Sequence, residues 1–181
     1  LRRSRGLGDV YKRQDNNIKI ISCSSNGDIW IGTDFGVSQF DGLNWTTYDI
    51  TNGLISNQIK SIDFDIDGKV WIGTNSGVSF YNGSSWDSYS DANSDLHWSG
   101  VNATDFSSNG SKWFASPLGG TTHFDGSNFI NYDDSDGLIS KYSTDLLIDD
   151  QNNKWIGTAS GISVLNATNV NIINYTKMYL L

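Results

Sequence analysis

Residues 26–42 read NGDIWIGTDFGVSQFDG, and the pattern of this stretch decides the fold. Its tetrapeptide WIGT, Trp30–Thr33, returns at Trp71–Thr74 and Trp155–Thr158, and in the weaker form WFAS at Trp113–Ser116. Successive tryptophans of these tetrapeptides are 41, 42 and 42 residues apart. Self-similarity at a fixed period of this length is the signature of a repeat architecture. The sequence therefore predicts four copies of one structural unit.

Each copy reads as four short strands joined by tight turns. Asp41 and Gly42 form a dipeptide typical of hairpin turns. Before the second WIGT, Ile62, Phe64 and Ile66 alternate with aspartates, and a period of two belongs to β-strands. Four antiparallel strands in about 40–45 residues make one blade of a β-propeller, whereas a β-solenoid coil takes about half that length. In the first copy the predicted strands are 18–24, 28–33, 36–41 and 44–48.

Composition supports an all-β fold. The chain has 181 residues, 37% of them hydrophobic, which suits one domain of moderate size. All 20 acidic residues are aspartate, and glutamate, a strong helix former, is absent. No apolar run approaches the ~20 residues of a membrane-spanning helix. We therefore expect neither an all-α fold nor membrane insertion of this chain.

The first 14 residues differ from the rest in charge and pattern. Residues 4–14, SRGLGDVYKRQ, resemble a translated sequencing adapter, so residues 1–14 are interpreted as an artefactual leader and excluded from the fold. This interpretation also implies that the natural start of the protein, with any signal peptide, is missing. Seven lysines against 19 aspartates then leave a net charge of −12 and no arginine. Such a chain would repel a polyanion, so we expect no nucleic-acid partner.

The first two copies resemble a known family. Residues 26–42, followed by NGLISNQIKSIDFDIDGKVWIGT at residues 52–74, are similar to the two-component regulator propeller repeat, and the resemblance extends over residues 15–163. That family occurs in sensor regions of hybrid histidine kinases and in secreted bacterial proteins. The resemblance implies a propeller of more than four blades, located outside the cell or in the periplasm, that senses a ligand or binds a partner.

Four blades are few for a closed propeller, so we expect an incomplete ring. An open arc leaves two apolar blade faces exposed, and the remaining blades of the same parent protein are the expected partner for them. The predicted blades are 15–58, 59–100, 101–142 and 143–175, followed by a tail, 176–181. The repeated structural positions are Trp30, Gly32, Trp71, Gly73, Trp113, Trp155 and Gly157, and the tryptophans among them are expected to pack between blades.

Catalytic and metal-binding patterns are weak. Without glutamate, and without arginine after residue 14, the chain lacks the groups of sialidase chemistry. We expect no catalytic residue, no cofactor and no metal. The alternative is a lyase or hydrolase that works with aspartates, with or without a cation. Residues 63–68, DFDIDG, imitate a calcium loop, but Thr74 stands where its glutamate belongs, so a row of outward aspartates is expected. His123 is interpreted as a strand-surface residue and Cys23 as a buried, reduced thiol.

One connector breaks the repeat. Residues 95–100, DLHWSG, stand where the other connectors have Leu-Ile-Ser. Trp98 is also the one tryptophan of seven outside the repeated positions. Because loops on a rigid scaffold commonly carry function, Asp95, His97 and Trp98 are the predicted ligand-binding residues. The ligand class stays open among a small molecule, a glycan and a protein.

Overall fold

A computed structural model describes residues 17–98 and 100–176, and sixteen β-strands account for the regular structure of this part apart from one short 3-10 helix, Ile50–Asn52. The predicted leader, 1–14, lies outside the described residues, as do residues 177–181 of the predicted tail. The strands are β1 Ile20–Cys23, β2 Ile29–Thr33, β3 Gly36–Phe40, β4 Trp45–Tyr48, β5 Ile59–Phe64, β6 Val70–Thr74, β7 Gly77–Tyr81, β8 Trp86–Tyr89, β9 Ala103–Phe106, β10 Lys112–Ser116, β11 Gly120–Phe124, β12 Phe129–Tyr132, β13 Ser143–Ile148, β14 Lys154–Thr158, β15 Gly161–Leu165 and β16 Ile172–Tyr175.

The strands form four antiparallel sheets of four, each in simple chain order. We call them blades 1 to 4. The first strand of each blade contacts the first strand of the next, from β1 through β5 and β9 to β13. The blades therefore fan out around a common axis lined by these inner strands. The predicted β-propeller architecture is confirmed, and the four blades form an open arc rather than a closed ring.

The glycine of the WIGT motif lets neighbouring blades approach closely. A Cβ atom on Gly32 would lie 2.6 Å from Cγ2 of Ile59 in blade 2. At Gly73 it would lie 2.9 Å from the backbone oxygen of Val101, at the start of blade 3. Both distances are shorter than a carbon side chain tolerates, so the motif needs glycine where the next inner strand passes.

The hydrophobic core lies between blades. Trp30 of blade 1 belongs to a cluster with Ile62, Val70 and Ile72 of blade 2. Corresponding clusters join Trp71 to blade 3 and Trp113 to blade 4. Blades 2 and 3 thus bury one face against the preceding blade and the other against the next, which is the packing expected of a propeller.

The two end faces of the arc are exposed. On the far face of blade 4, Trp155 is 38% exposed and Leu147 59%, whereas the corresponding Trp71 is 2% exposed. On the near face of blade 1, Ile21 is 63% exposed. Cys23 lies on that same face, two residues further along β1, and is exposed. In the part of the chain that the structure describes, no blade packs on this face, so the prediction of a buried thiol was wrong.

We expect the isolated chain to self-associate through these two faces. Inside the arc, the face of blade 2 that corresponds to the Ile21 face packs on Trp30 of blade 1. The exposed Trp155 face of blade 4 corresponds to the Trp30 face, which receives such a neighbour. Blade 1 of one copy can therefore pack on blade 4 of another. Sedimentation velocity over a range of concentrations should show assembly in the wild type and a monomer in the double variant Ile21→Lys, Leu147→Lys.

Ile66→Lys is the matched control, because Ile66 is equally exposed but lies in a turn away from both end faces. It should assemble as the wild type does. A monomeric wild type at every concentration, or loss of assembly in the Ile66 variant, would contradict the end-face explanation.

Candidate functional site

The connector between blades 2 and 3 is built around one buried side chain. Leu96 is buried in the cluster that holds Trp71 and Phe114, as Leu54 and Leu138 are buried in the other connectors. A turn precedes it, in which the backbone N–H of Ser94 donates to the oxygen of Ser90 at 2.9 Å. Leu96 therefore holds the connector against the blades and turns its neighbours toward solvent.

The three predicted ligand-binding residues lie together at this surface. Asp95, His97 and Trp98 are exposed, and with Asp91 and Leu96 they line an open hollow of about 520 Å³. The rings of His97 and Trp98 meet edge to face, with centroids 6.4 Å apart. The hollow offers an indole, an imidazole and two carboxylates to a ligand.

Trp98 is held in an unusual backbone conformation. Its φ angle is +72°, in the left-handed region that bulky residues rarely occupy. Its side chain is 47% exposed, and its Cδ1 atom would lie 2.0 Å from a Cβ atom placed on Gly119 of blade 3. Strained residues of this kind cost about 1–3 kcal/mol and cluster at binding sites. An exposed indole in a strained conformation is thus the most distinctive feature of this rim.

Sequence reasoning missed the blade 3 part of this surface. The β10–β11 turn, Pro117–Gly119, contains the one extra residue of the third copy, and Leu118 in it is 47% exposed. Gly119 is the position over which Trp98 packs. The inserted residue and the irregular connector are about 20 residues apart in sequence but adjacent in space. Both depart from the repeat in the same part of the chain, and this shared departure was the signal that could have predicted the turn as part of the site.

The electrostatics around Trp98 are acidic. Hydrogen bonds from Ser135 lower the pKa of Asp133 in the next connector, and the positive charges of His97 and Lys141 add to this effect. Asp133 therefore lies within electrostatic reach of His97. Asp91 and Asp95 also line the hollow, so the surface favours neutral or cationic groups over anions.

The aspartate row of residues 63–68 does not point outward as a set, so that prediction was wrong. Asp65 is buried and accepts a hydrogen bond from Trp71 Nε1 at 2.9 Å. It also accepts bonds from the backbone N–H groups of Asp67 and Lys69, at 3.1 and 3.0 Å, and lies 3.8 Å from Lys112 Nζ of blade 3. Both faces of blade 2 are covered by neighbouring blades. Asp65 lies on the face toward blade 3 and is therefore buried.

His123 is also buried rather than on the strand surface. Its ring stacks on Trp113 with centroids 4.6 Å apart. It occupies the position of Phe80, which stacks on Trp71 in the same way at 4.5 Å. The surface interpretation was wrong because this strand face is covered by blade 4. Across residues 17–98 and 100–176, no three His, Cys, Asp or Glu side chains are grouped to hold a metal ion.

Comparison with protein families identifies the repeat. The family described as two component regulator propeller matches residues 12–35 and 53–76, which contain the first two WIGT motifs. The first two WIGT motifs thus match the two-component regulator propeller repeat. The resemblance inferred from the sequence is therefore confirmed, and the connector with Trp98 lies outside the matched residues. A comparison with curated protein sequences gave no match.

Solved structures share the arrangement of these propeller repeats. The extracellular domain assigned to a hybrid two-component system of B. thetaiotaomicron superposes with a TM-score of 0.78 at 25% identity, over 88% of this chain and 23% of that one. The extracellular domain assigned to a one-component system of the same organism gives 0.76 at 19% identity, over 91% and 26%.

Virginiamycin B lyase from Staphylococcus aureus gives a TM-score of 0.74 at 17% identity, over 92% of this chain and 57% of the lyase. At that identity the likeness to the lyase shows the fold alone. The chain thus spans about a quarter of each extracellular domain and somewhat over half of the lyase. In the part of the chain that the structure describes, no helix has the length and apolar character to cross a membrane.

Proposed function

We propose that this chain is a non-catalytic segment of an extracellular or periplasmic sensor propeller that binds its ligand at the rim around Trp98. The family match and the similarity to the hybrid two-component ectodomain support the sensor role. The observation that carries the location is the exposed, strained indole of Trp98 at the one connector that departs from the repeat.

The chemistry of the rim favours a glycan. An exposed indole offers a flat apolar face to a sugar ring, and neighbouring carboxylates accept hydrogen bonds from hydroxyl groups. Asp91 and Asp95 line the hollow beside Trp98 and supply such acceptors. A ligand that bridges this connector and the Pro117–Gly119 turn would contact blades 2 and 3 at once. Its binding would stabilise one relative position of the two blades, which is how a ligand shifts a conformational equilibrium.

We also propose that further blades of the parent protein cover the exposed faces of blades 1 and 4. Trp155, Leu147 and Ile21 are the side chains that such blades would bury. The three interfaces inside the arc provide the pattern for these contacts, since each one buries a tryptophan against aliphatic residues of the next blade.

Replacement of Trp98 tests the site. The full chain is screened against a glycan array and a peptide array, and the affinity of each retained ligand is measured by calorimetry for wild type and Trp98→Ala. We expect a glycan ligand whose affinity falls at least tenfold in the variant, because the stacking surface is removed. Circular dichroism should be unchanged, since the indole is exposed.

Phe35→Ala is the matched control. Phe35 is 52% exposed in the β2–β3 turn of blade 1, which corresponds to the turn beneath Trp98. This variant should bind the glycan as the wild type does. Equal affinity of the Trp98 variant and wild type, or binding to neither array, would refute the proposed rim site; retention of peptides alone would refute the glycan.

A further inference from the structure

A carboxylate arrangement recurs at the inner hairpins of the blades. In blade 2, Asp65 receives the indole N–H of Trp71 and two backbone N–H groups, and Lys112 from blade 3 approaches to 3.8 Å. The same lysine lies over the Trp71 ring, 5.3 Å from its centroid. The indole and the ammonium group thus converge on one buried negative charge between blades 2 and 3.

Blade 3 keeps the donors but lacks the carboxylate. Asp149 of blade 4 again accepts from an indole, that of Trp155, at 2.9 Å. In blade 3 the corresponding residue is Ser107, whose side chain is one bond shorter. Within the described residues, Ser107 Oγ and Trp113 Nε1 are both buried and have no hydrogen-bond partner. A buried polar group without a partner destabilises a fold, so these two atoms favour an additional acceptor.

A buried ammonium group lies over the ring of the same tryptophan. Lys154 is the blade 4 counterpart of Lys112; it is 1% exposed, and its Nζ atom lies 4.9 Å from the Trp113 ring centroid. Nζ donates to Asn169 Oδ1 at 2.6 Å and to Ala167 O at 3.4 Å, both neutral oxygens. Burial lowers the pKa of Lys154, and the charge of Asp149 opposes this effect. The Asp149 carboxylate already accepts hydrogen bonds from Trp155 Nε1 and from backbone N–H groups of its own turn.

We infer that blade 3 binds a small monovalent anion, chloride or a simple carboxylate such as formate, between Trp113 Nε1, Ser107 Oγ and Lys154 Nζ. The indole and the ammonium group only donate hydrogen bonds, so the occupant must accept from both. Water would accept these bonds but would leave the buried positive charge uncompensated. In blade 2 the equivalent groups, Trp71 Nε1 and Lys112 Nζ, face the carboxylate of Asp65.

The surroundings restrict the charge of the ion. Ser107 lines a hollow of about 450 Å³ that opens between the inner hairpins of blades 2, 3 and 4. The carboxylates of Asp65, Asp149 and Asp150 also line it and disfavour polyanions. His123, stacked on Trp113, has two buried ring nitrogens without partners, and burial together with the Lys154 charge lowers its pKa. A bound anion would offset that charge and raise the His123 pKa.

The test compares sodium chloride, sodium formate and sodium gluconate at equal ionic strength, since a six-carbon polyhydroxy anion is too bulky to reach the buried Ser107 Oγ and Trp113 Nε1 atoms. The melting temperature of the full chain should be about 2–5 °C higher in chloride or formate than in gluconate. Ser107→Asp supplies the carboxylate covalently, so this variant should melt above the wild type in gluconate and lose the response to chloride and formate. His123, followed by NMR, should titrate at higher pH in chloride than in gluconate.

Ser24→Asp is the matched control. Ser24 holds the corresponding position in blade 1, but Val70 stands where Lys112 and Lys154 stand in the later blades, so this interface lacks the lysine of the repeated position. This variant should keep the wild-type chloride response. Identical wild-type melting and His123 titration in all three salts would overturn the inference, as would a chloride response that persists in Ser107→Asp. A response to only one of the two small anions identifies which one the site accepts.

Discussion

Asp65→Ala should lower the free energy of unfolding by about 3–5 kcal/mol, the range observed when one partner of a buried ion pair is removed. Asp65 is buried, and its carboxylate accepts from Trp71 Nε1 at 2.9 Å and from two backbone N–H groups. Alanine would leave the indole N–H without its acceptor and Lys112 without its ion-pair partner in the interface between blades 2 and 3. Urea unfolding followed by tryptophan fluorescence measures the change.

The control for this prediction lies in the same turn. Asp67 is exposed, and its side chain is not part of the Asp65 network. Asp67→Ala should therefore change the free energy of unfolding by less than about 1 kcal/mol, as is usual for surface substitutions. If Asp65→Ala is no more destabilising than Asp67→Ala, the buried carboxylate does not hold the two blades together.

The repeat predicted the fold because its information is local. The dipeptide Asp41-Gly42 specifies a tight turn, and alternation on either side specifies strands, so each hairpin is encoded within about a dozen residues. The structure places the first-copy strands at Ile20–Cys23, Ile29–Thr33, Gly36–Phe40 and Trp45–Tyr48, inside the predicted segments. The period then orders the blades, and no long-range contact has to be guessed.

Burial could not be predicted in the same way, because it depends on the neighbouring blade. Cys23 and Phe64 hold corresponding positions, but blade 2 has a predecessor in the structure and blade 1 does not. His123 replaces an aromatic residue in a covered stack, and the identity of a histidine does not show whether the next blade reaches it. Alternation assigns a face; only the assembled arc shows which faces are covered.

The candidate site was accessible to sequence reasoning in part. Asp95, His97 and Trp98 were found because they break the repeat, and the structure gathers them in one hollow. The role of Asp65 was missed because alternation suggested an exposed row. Its recurrence at Asp149, also six residues before a WIGT tryptophan, was the available signal. A repeated polar residue near a repeated aromatic one indicates a structural partnership.

A second carboxylate of blade 2 makes stability depend on pH in an unusual direction. Asp63 lies on the inner strand β5, where Thr104 Oγ1 of blade 3 donates to its Oδ2 atom. Burial raises the pKa of Asp63 to about 6, the hydrogen bond from Thr104 opposes this, and the charges of Asp105 and Asp145 add to it. Burial also raises the pKa of Asp105, so two neighbouring inner strands carry carboxylates that favour the protonated form.

Asp63→Asn should therefore stabilise the protein at pH 7.5 by about 1–3 kcal/mol and have little effect at pH 4. A carboxyl group whose pKa is higher in the folded state than its ordinary 3.8 contributes stability that is complete below pH 3.8 and is lost as the pH rises through about 6. Asparagine keeps the bond from Thr104 without the charge, so it removes this loss. Asp149 and Asp133, whose pKa values are lowered, act in the opposite sense, and the informative quantity is the difference between variant and wild type at each pH.

Asp67→Asn, an exposed change in the adjoining turn, should give no pH-dependent difference. A gain from Asp63→Asn that is equal at pH 4 and pH 7.5 would show that the carboxylate charge is not its cause.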